Sequence, residues 1–287
     1  MNITPDCISC IFNQALRVTS KLDLDDNKSK EVLDIASSFI PKFKMTQNPP
    51  EAVTPMYQAI AKHLNISDIY KDIKDKSTKE AQKLIPFCNK LLDNSQNNFQ
   101  DATKLAVAGN VIDLASQVEF NLEDEVQNII NKDWAIDDTE YLYNSLKSSK
   151  NLVYLGDNVG EHIFDKLYIK VIKNIFPTLN IYYFTRGEPI INDVTTQYAY
   201  DADINKYAKI IDSGVDTPGI VIDKLNLEAK EIFNSADTII SKGMGNYECL
   251  NLEDTYPIYF LLKIKCSVVA NSIGKDLGGI IIKRVRE

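Results

Sequence analysis

Hydrophobic positions along the chain change their period near residue 150. Before that point they recur at helical spacing. Ile8, Ile11, Phe12, Ala15, Leu16 and Leu22 mark a first helix, with Pro5 where a first turn tolerates it. A second helix is predicted from Asp25 to Ile40, stopping before Pro41, and a turn at Thr46-Gln47-Asn48-Pro49-Pro50 leads into a third that carries Met56, Ile60 and Leu64. Ser77-x-x-Glu80 has the spacing of a capping box ahead of Ala81, Leu84, Leu91 and Leu92. Pro86 predicts a kink or a break there, so several short helices are expected rather than one long one.

The stretch from Phe99 to Gln117 reads as a further helix. Phe99, Ala102, Leu105, Ala106, Ile112 and Ala115 form its apolar stripe, and Asn110, Asp113 and Gln117 share another face. Gly109 lies inside it at a cost of about 1 kcal/mol relative to alanine, which points to a close backbone approach. Asn110 and Asp113 either point into a cleft or belong to a solvated face; the spacing allows both.

From Asn151 onward, strand-like and helix-like stretches alternate. Residues 152–155, 181–184, 209–212, 237–241 and 266–270 read as short buried strands, and Gly279 to Val285 as an added edge strand. This alternation predicts an α/β fold: a mainly parallel, Rossmann-like sheet flanked by helices, preceded by an all-helical N-terminal region. The boundary falls at Ser148-Ser149-Lys150, giving regions 1–148 and 149–287.

Composition narrows the class. The 287 residues are 44% hydrophobic and 25% charged, as in an ordinary globular protein. A formal charge of −8 argues against a nucleic-acid binder, which draws its affinity from clustered Lys and Arg. No uncharged apolar window of membrane-spanning length occurs and the start lacks the pattern of a signal peptide, so no membrane partner and a cytoplasmic location are expected. The five cysteines are scattered and are expected as thiols. Only Cys7-x-x-Cys10 forms a pair; it is half of a zinc site, a redox couple or two thiols on one helix face, and no second such pair exists.

Candidate chemistry gathers at the ends of the predicted strands, where open α/β sheets bind ligands. Gly156-Asp157-Asn158 follows the first strand, with Glu161 opening the next helix. On its own this turn is equally well a helix cap or a cation site. Asp193 follows the second strand. After the fourth comes Lys242-Gly243-Met244-Gly245-Asn246-Tyr247-Glu248, a loop with the glycines and the lysine of a phosphate cradle, though without the P-loop spacing. Lys265 lies near the start of the predicted last main strand, either on a phosphate or snorkelling to solvent. Asp157, Asn158 and Asp193 would give a divalent ion three oxygen ligands, and such an ion would suit in-line attack on a phosphoryl group, with Lys242 and Lys265 offsetting charge. A haloacid-dehalogenase-type phosphatase needs Asp-x-Asp after the first strand, but the triplet Asp201-Ala202-Asp203 lies elsewhere. A non-catalytic module binding a nucleotide or phosphometabolite stays open as the alternative to an enzyme.

Taken in order, Cys7-x-x-Cys10, Gly109-Asn110-x-x-Asp113, Gly156-Asp157-Asn158-x-Gly160-Glu161, Pro189-Ile190-Ile191-Asn192-Asp193-Val194-Thr195, Lys242-Gly243-x-Gly245-Asn246 and Lys265-Cys266 span nearly the whole chain. In this set the chain resembles the metal-dependent damage-control phosphatases, first described as domain of unknown function 89, in their prokaryotic branch. The resemblance implies hydrolysis of phosphate monoesters of small metabolites, sugar phosphates among them, with a divalent metal such as Mn, Co, Ni or Mg. It implies Asp157, Asn158 and Asp193 as metal ligands and catalytic residues. It further implies Glu161, Asn110, Asp113, Lys242, Gly243, Gly245, Asn246 and Lys265 on the substrate side. The chain departs from better-described eukaryotic relatives in two places: one residue fewer separates the Asp-Asn pair from Glu161, and Glu248 stands where those relatives carry an arginine.

Overall fold

The computed structural model describes residues 1–109 and 122–285. Asn110, Asp113 and Gln117 lie outside them. The N-terminal part is helical: α1 Pro5–Lys21, α2 Asp26–Phe39, α3 Pro49–Leu64, α4 Lys71–Asp93, α5 Asn98–Gly109 and α6 Leu122–Asn131. Caps agree with the local sequence, since Asp25 accepts from the Lys28 N–H and Asn48 from the Glu51 N–H.

One expectation fails here. α4 runs unbroken through Pro86, and Ser77 and Glu80 lie inside it rather than at a cap. Proline costs a helix one hydrogen bond, but Ala81, Leu84, Cys88 and Leu92 form a continuous buried face, and packing of that face carries the helix through.

The remaining chain alternates β1 Ile136–Asp137, α7 Thr139–Ser148, β2 Asn151–Leu155, α8 Glu161–Ile175, β3 Asn180–Thr185, α9 Thr196–Asp201, β4 Lys209–Asp212, α10 Leu227–Asn234, β5 Thr238–Lys242, α11 Gly243–Leu250, β6 Ile258–Lys263, α12 Ser267–Ile273 and β7 Ile280–Arg284. Among the described residues these strands form one sheet in the order β1-β7-β6-β5-β2-β3-β4. β2 to β6 are mutually parallel, and β7 is antiparallel to β6. The predicted Rossmann-like α/β class is therefore observed.

The end of the chain differs from its sequence reading. Residues 266–270 are the start of α12, not a strand: the Cys266 sulfur accepts from the Val269 N–H at 3.5 Å, and Gly274 at φ +73° ends the helix. The strand is the preceding apolar run, β6, and Lys265 consequently follows a strand instead of opening one. The segment predicted as an edge is β7, which lies inside the sheet because β1, from before the expected boundary, pairs with its outer side.

Side chains alternate across the sheet as the pleat demands. Leu152, Tyr154, Ile181 and Tyr183 pack with α5 and α8 on one face; Val153, Leu155, Phe184 and Ile239 pack with α10 to α12 on the other. A third apolar cluster joins α1, α2 and α3. Gly109 allows the close approach its position predicted, since a Cβ there would lie 3.0 Å from Phe164 and 3.1 Å from the Cα of Glu161. This topology puts the carboxyl ends of β3, β2, β5 and β6 side by side on one rim. No helix among the described residues is long and apolar enough to cross a membrane.

Candidate active site

The turn after β2 is held from two sides. The Gly156 N–H donates to the Phe184 carbonyl at 3.1 Å, and a Cβ on Gly156 would meet the Tyr183 hydroxyl at 2.5 Å. Beyond it the backbone is clasped to the segment after β3. The Val194 N–H donates to the Asp157 carbonyl at 2.8 Å, the Val159 N–H donates to the Asn192 carbonyl at 2.8 Å, and Asn158 opposes Asp193 as an antiparallel bridge. Residues 35 or so apart in sequence thus become neighbours through main-chain bonds, independently of their side chains. Ile191 adopts φ +45°, an unusual conformation for a β-branched residue, immediately before this clasp.

Asp157 and Asp193 are both buried, at 6% and 3% exposure, and this decides their electrostatics. Burial, then the negative charges of Glu161 and Asp193, pushes the Asp157 carboxyl well above the usual range. Burial also raises Asp193, against the pull of Arg186, whose Nε donates to Asp193 Oδ2 at 2.8 Å. The Asn158 amide nitrogen donates to Asp157 Oδ2 at 2.8 Å, which leaves its carbonyl oxygen as a further hard donor. Two crowded carboxylates and an amide oxygen, with negative charge in excess, fit a divalent cation. No group of three His, Cys, Asp or Glu side chains among the described residues could hold a metal, so the fit rests on this mixed set including Asn158.

The expected cradle after β5 is built differently. Lys242 is the last residue of β5 and Gly243 opens α11, so no loop intervenes. The fully buried Lys242 ammonium donates to Asp165 Oδ1 at 2.7 Å, to the Ala106 carbonyl at 2.8 Å and to Glu161. Asp165 also accepts from the hydroxyls of Tyr154 and Tyr183, at 2.7 and 3.1 Å. Lys242 and Glu161 therefore sit in a buried ionic network beneath the rim.

Asn246 uses its whole hydrogen-bonding capacity internally. Its oxygen accepts from the Ile220 N–H at 2.8 Å and from Arg186 at 3.2 Å; its nitrogen donates to the carbonyls of Lys242 at 2.7 Å and Gly156 at 3.2 Å. It ties together the ends of β2, β3 and β5. Gly243, at φ +77°, lies against Asp157: a Cβ there would be 1.9 Å from Asp157 Oδ2. Only glycine combines that conformation with that contact.

A cavity of about 420 Å³ opens above Asp157, Asn158 and Asp193, and Gly245 and Lys265 also line it. These five are the sequence candidates that the fold brings together around open space. Glu161, Lys242, Gly243 and Asn246 do not line it. Cys7 and Cys10 both line the cavity, Cys7 buried and Cys10 exposed. The sequence reading assigned no role to Arg186 or Asp165. Asp165 stands four residues after Glu161, a helical spacing that was the available signal; nothing in the local pattern around Arg186 gave it away.

The comparisons agree along the whole chain. Residues 3–281 match the damage-control phosphatase ARMT1-like domain. The chain is similar to a damage-control phosphatase of Pyrococcus horikoshii, with 32% identity over 99% of this chain and 98% of that one. A damage-control phosphatase of Archaeoglobus fulgidus is 32% identical over 99% of this chain and 100% of its own length. The crystal structure of a P. horikoshii protein described as of the DUF89 family superposes with a TM-score of 0.92 at 31% identity, covering 100% of both chains.

Proposed function

The chain belongs to the damage-control phosphatase ARMT1-like domain family, and on that premise we propose that it hydrolyses phosphate monoesters of small metabolites with a divalent metal held by Asp157, Asn158 and Asp193. The observation that carries the reading is the clasp between residues 157–159 and 192–194, which sets two carboxylates and an amide in the same cavity as Lys265. A cavity of about 420 Å³ suits a metabolite rather than a polymer.

A divalent ion bound there supplies charge for a phosphoryl oxygen and lowers the pKa of water. The chain's own groups do the rest. Arg186 fixes the Asp193 carboxylate in position through its Nε–H, and Asn246 holds Arg186 in turn. Asn158 orients Asp157 through its amide nitrogen. Lys265 is placed to pair with a phosphate oxygen. Mn, Co, Ni and Mg are the ions this reading includes, and sugar phosphates the first substrates to try.

The test is phosphate release from a panel of monoesters, each offered with each of these ions. Release abolished by chelation and restored by one of the ions is the expected result. Metal-independent ligand binding with no release from any ester would instead mark a phosphometabolite-binding module.

A further inference from the structure

The charges around the cavity are unequal. Asp6, Asp157, Asp193 and Glu248 line it, and Lys265 is the one basic residue doing so among the described residues. A divalent ion and a phosphate dianion roughly offset each other, so a bound monoester would leave carboxylates in excess. Any further anion on the substrate would meet repulsion in a site partly shielded from water.

Glu248 stands out within this set. It lies on α11 and lines the cavity, yet no hydrogen bond to its carboxylate occurs among the described residues; the Met1 ammonium bonds its backbone carbonyl instead. Burial pushes the Glu248 carboxyl up to about 7, with the Met1 ammonium pulling the other way. Glu248 is half-buried, so its carboxylate is partly withdrawn from water without a donor, and a donor on a ligand relieves the cost of that. Asp157 and Asp193, by contrast, already have partners in Asn158 and Arg186. Gly245, one turn earlier on α11, lines the same cavity and packs against the Pro218 carbonyl, where a Cβ would lie at 1.9 Å.

Resting on the phosphatase reading above, we propose that Glu248 is a specificity-determining residue that accepts a hydrogen bond from a hydroxyl or ammonium on the part of the substrate remote from its phosphate. The same carboxylate discriminates against substrates bearing a carboxylate or a second phosphate at that place. Discrimination of this kind arises where a half-buried polar group would otherwise be left unpaired or set against a like charge.

The experiment compares kcat/KM for four esters of one sugar frame: a hexose monophosphate, an aminohexose monophosphate, a phosphorylated sugar acid and a hexose bisphosphate. p-Nitrophenyl phosphate, which carries none of these groups, serves as the reference. The wild-type protein is expected to favour both donor-bearing esters at least tenfold over both anionic ones, and the amino-to-hydroxyl ratio reports which donor Glu248 prefers. Glu248→Gln should compress that spread to a few-fold, and Glu248→Arg should reverse it. A wild-type protein that treats the anionic esters as well as the others overturns the assignment without recourse to any variant. So does an unchanged spread in Glu248→Gln. In both cases chelator-sensitive release from p-nitrophenyl phosphate shows that the phosphatase reading survives; loss of release from every ester, the reference included, removes that reading and this one together.

Discussion

Lys242 and Asp165 are joined at 2.7 Å in the interior, with Glu161 on the same ammonium, while Lys265 lines the open cavity. The two lysines that the sequence placed together on a phosphate thus occupy different environments. Burial alone would lower the Lys242 pKa, but Asp165 and Glu161 outweigh it and hold the ammonium charged. Lys242→Met should leave two buried carboxylates without their cation and cost about 3–5 kcal/mol of stability. Lys265→Ala should change stability by no more than about 0.5 kcal/mol and raise KM for a phosphate ester several-fold. Urea unfolding and steady-state kinetics on both variants check the division of labour.

Gly243 is the second test of the rim. A methyl group there would meet Asp157 Oδ2 at 1.9 Å from a backbone at φ +77°. Gly243→Ala should therefore displace the carboxylate, lowering activity by about a hundredfold or more, as expected for a misplacement on the order of 1 Å. A metal titration of the same variant should show weakened binding. Activity close to wild type would mean that Asp157 can move without consequence.

His162 gives a pH signature. It is fully buried, and burial lowers its pKa to about 3, whereas an unfolded histidine titrates near 6.5. Between those values the unfolded chain binds the additional proton, so the stability due to neutral His162 is complete above about pH 6.5 and declines as pH falls toward 3. The slope approaches about 1.4 kcal/mol per pH unit within that window. Asp165 and Asp193, whose pKa values are raised, act in the opposite direction. The difference between wild-type and His162→Gln unfolding free energies, followed by urea titration from pH 7 to pH 4, isolates the histidine. A difference that does not vary with pH would refute its buried, neutral state.

The fold was legible where local pattern and tertiary demand coincide. β2, β3 and β5 are short, mainly apolar and largely buried, and β4 buries Ile210 and Ile211 between exposed ends; a parallel sheet needs such runs. Errors came where the two diverge. The Val268-Val269 pair reads as strand, but the Cys266 cap and Gly274 stop make it helix; β1, at two residues, is too short to leave a pattern. In α4, buried packing overrode Pro86.

The candidate ligands could be read because each follows a strand end. Their convergence could not, because it depends on main-chain bonds between residues 157–159 and 192–194 that no spacing rule predicts. Lys242 misled for a related reason: glycines beside a lysine suggest an open cradle, whereas here Gly243 makes room for Asp157 and the lysine turns inward.

Calorimetric titration of the metal-free protein with Mn, Co, Ni and Mg measures whether Asp157, Asn158 and Asp193 form a divalent-metal site. One ion per chain is expected for at least one metal, with affinity reduced at least a hundredfold in Asp157→Ala and in Asp193→Ala while the circular dichroism spectrum is retained. Binding in both variants as tight as in the wild-type protein would contradict it.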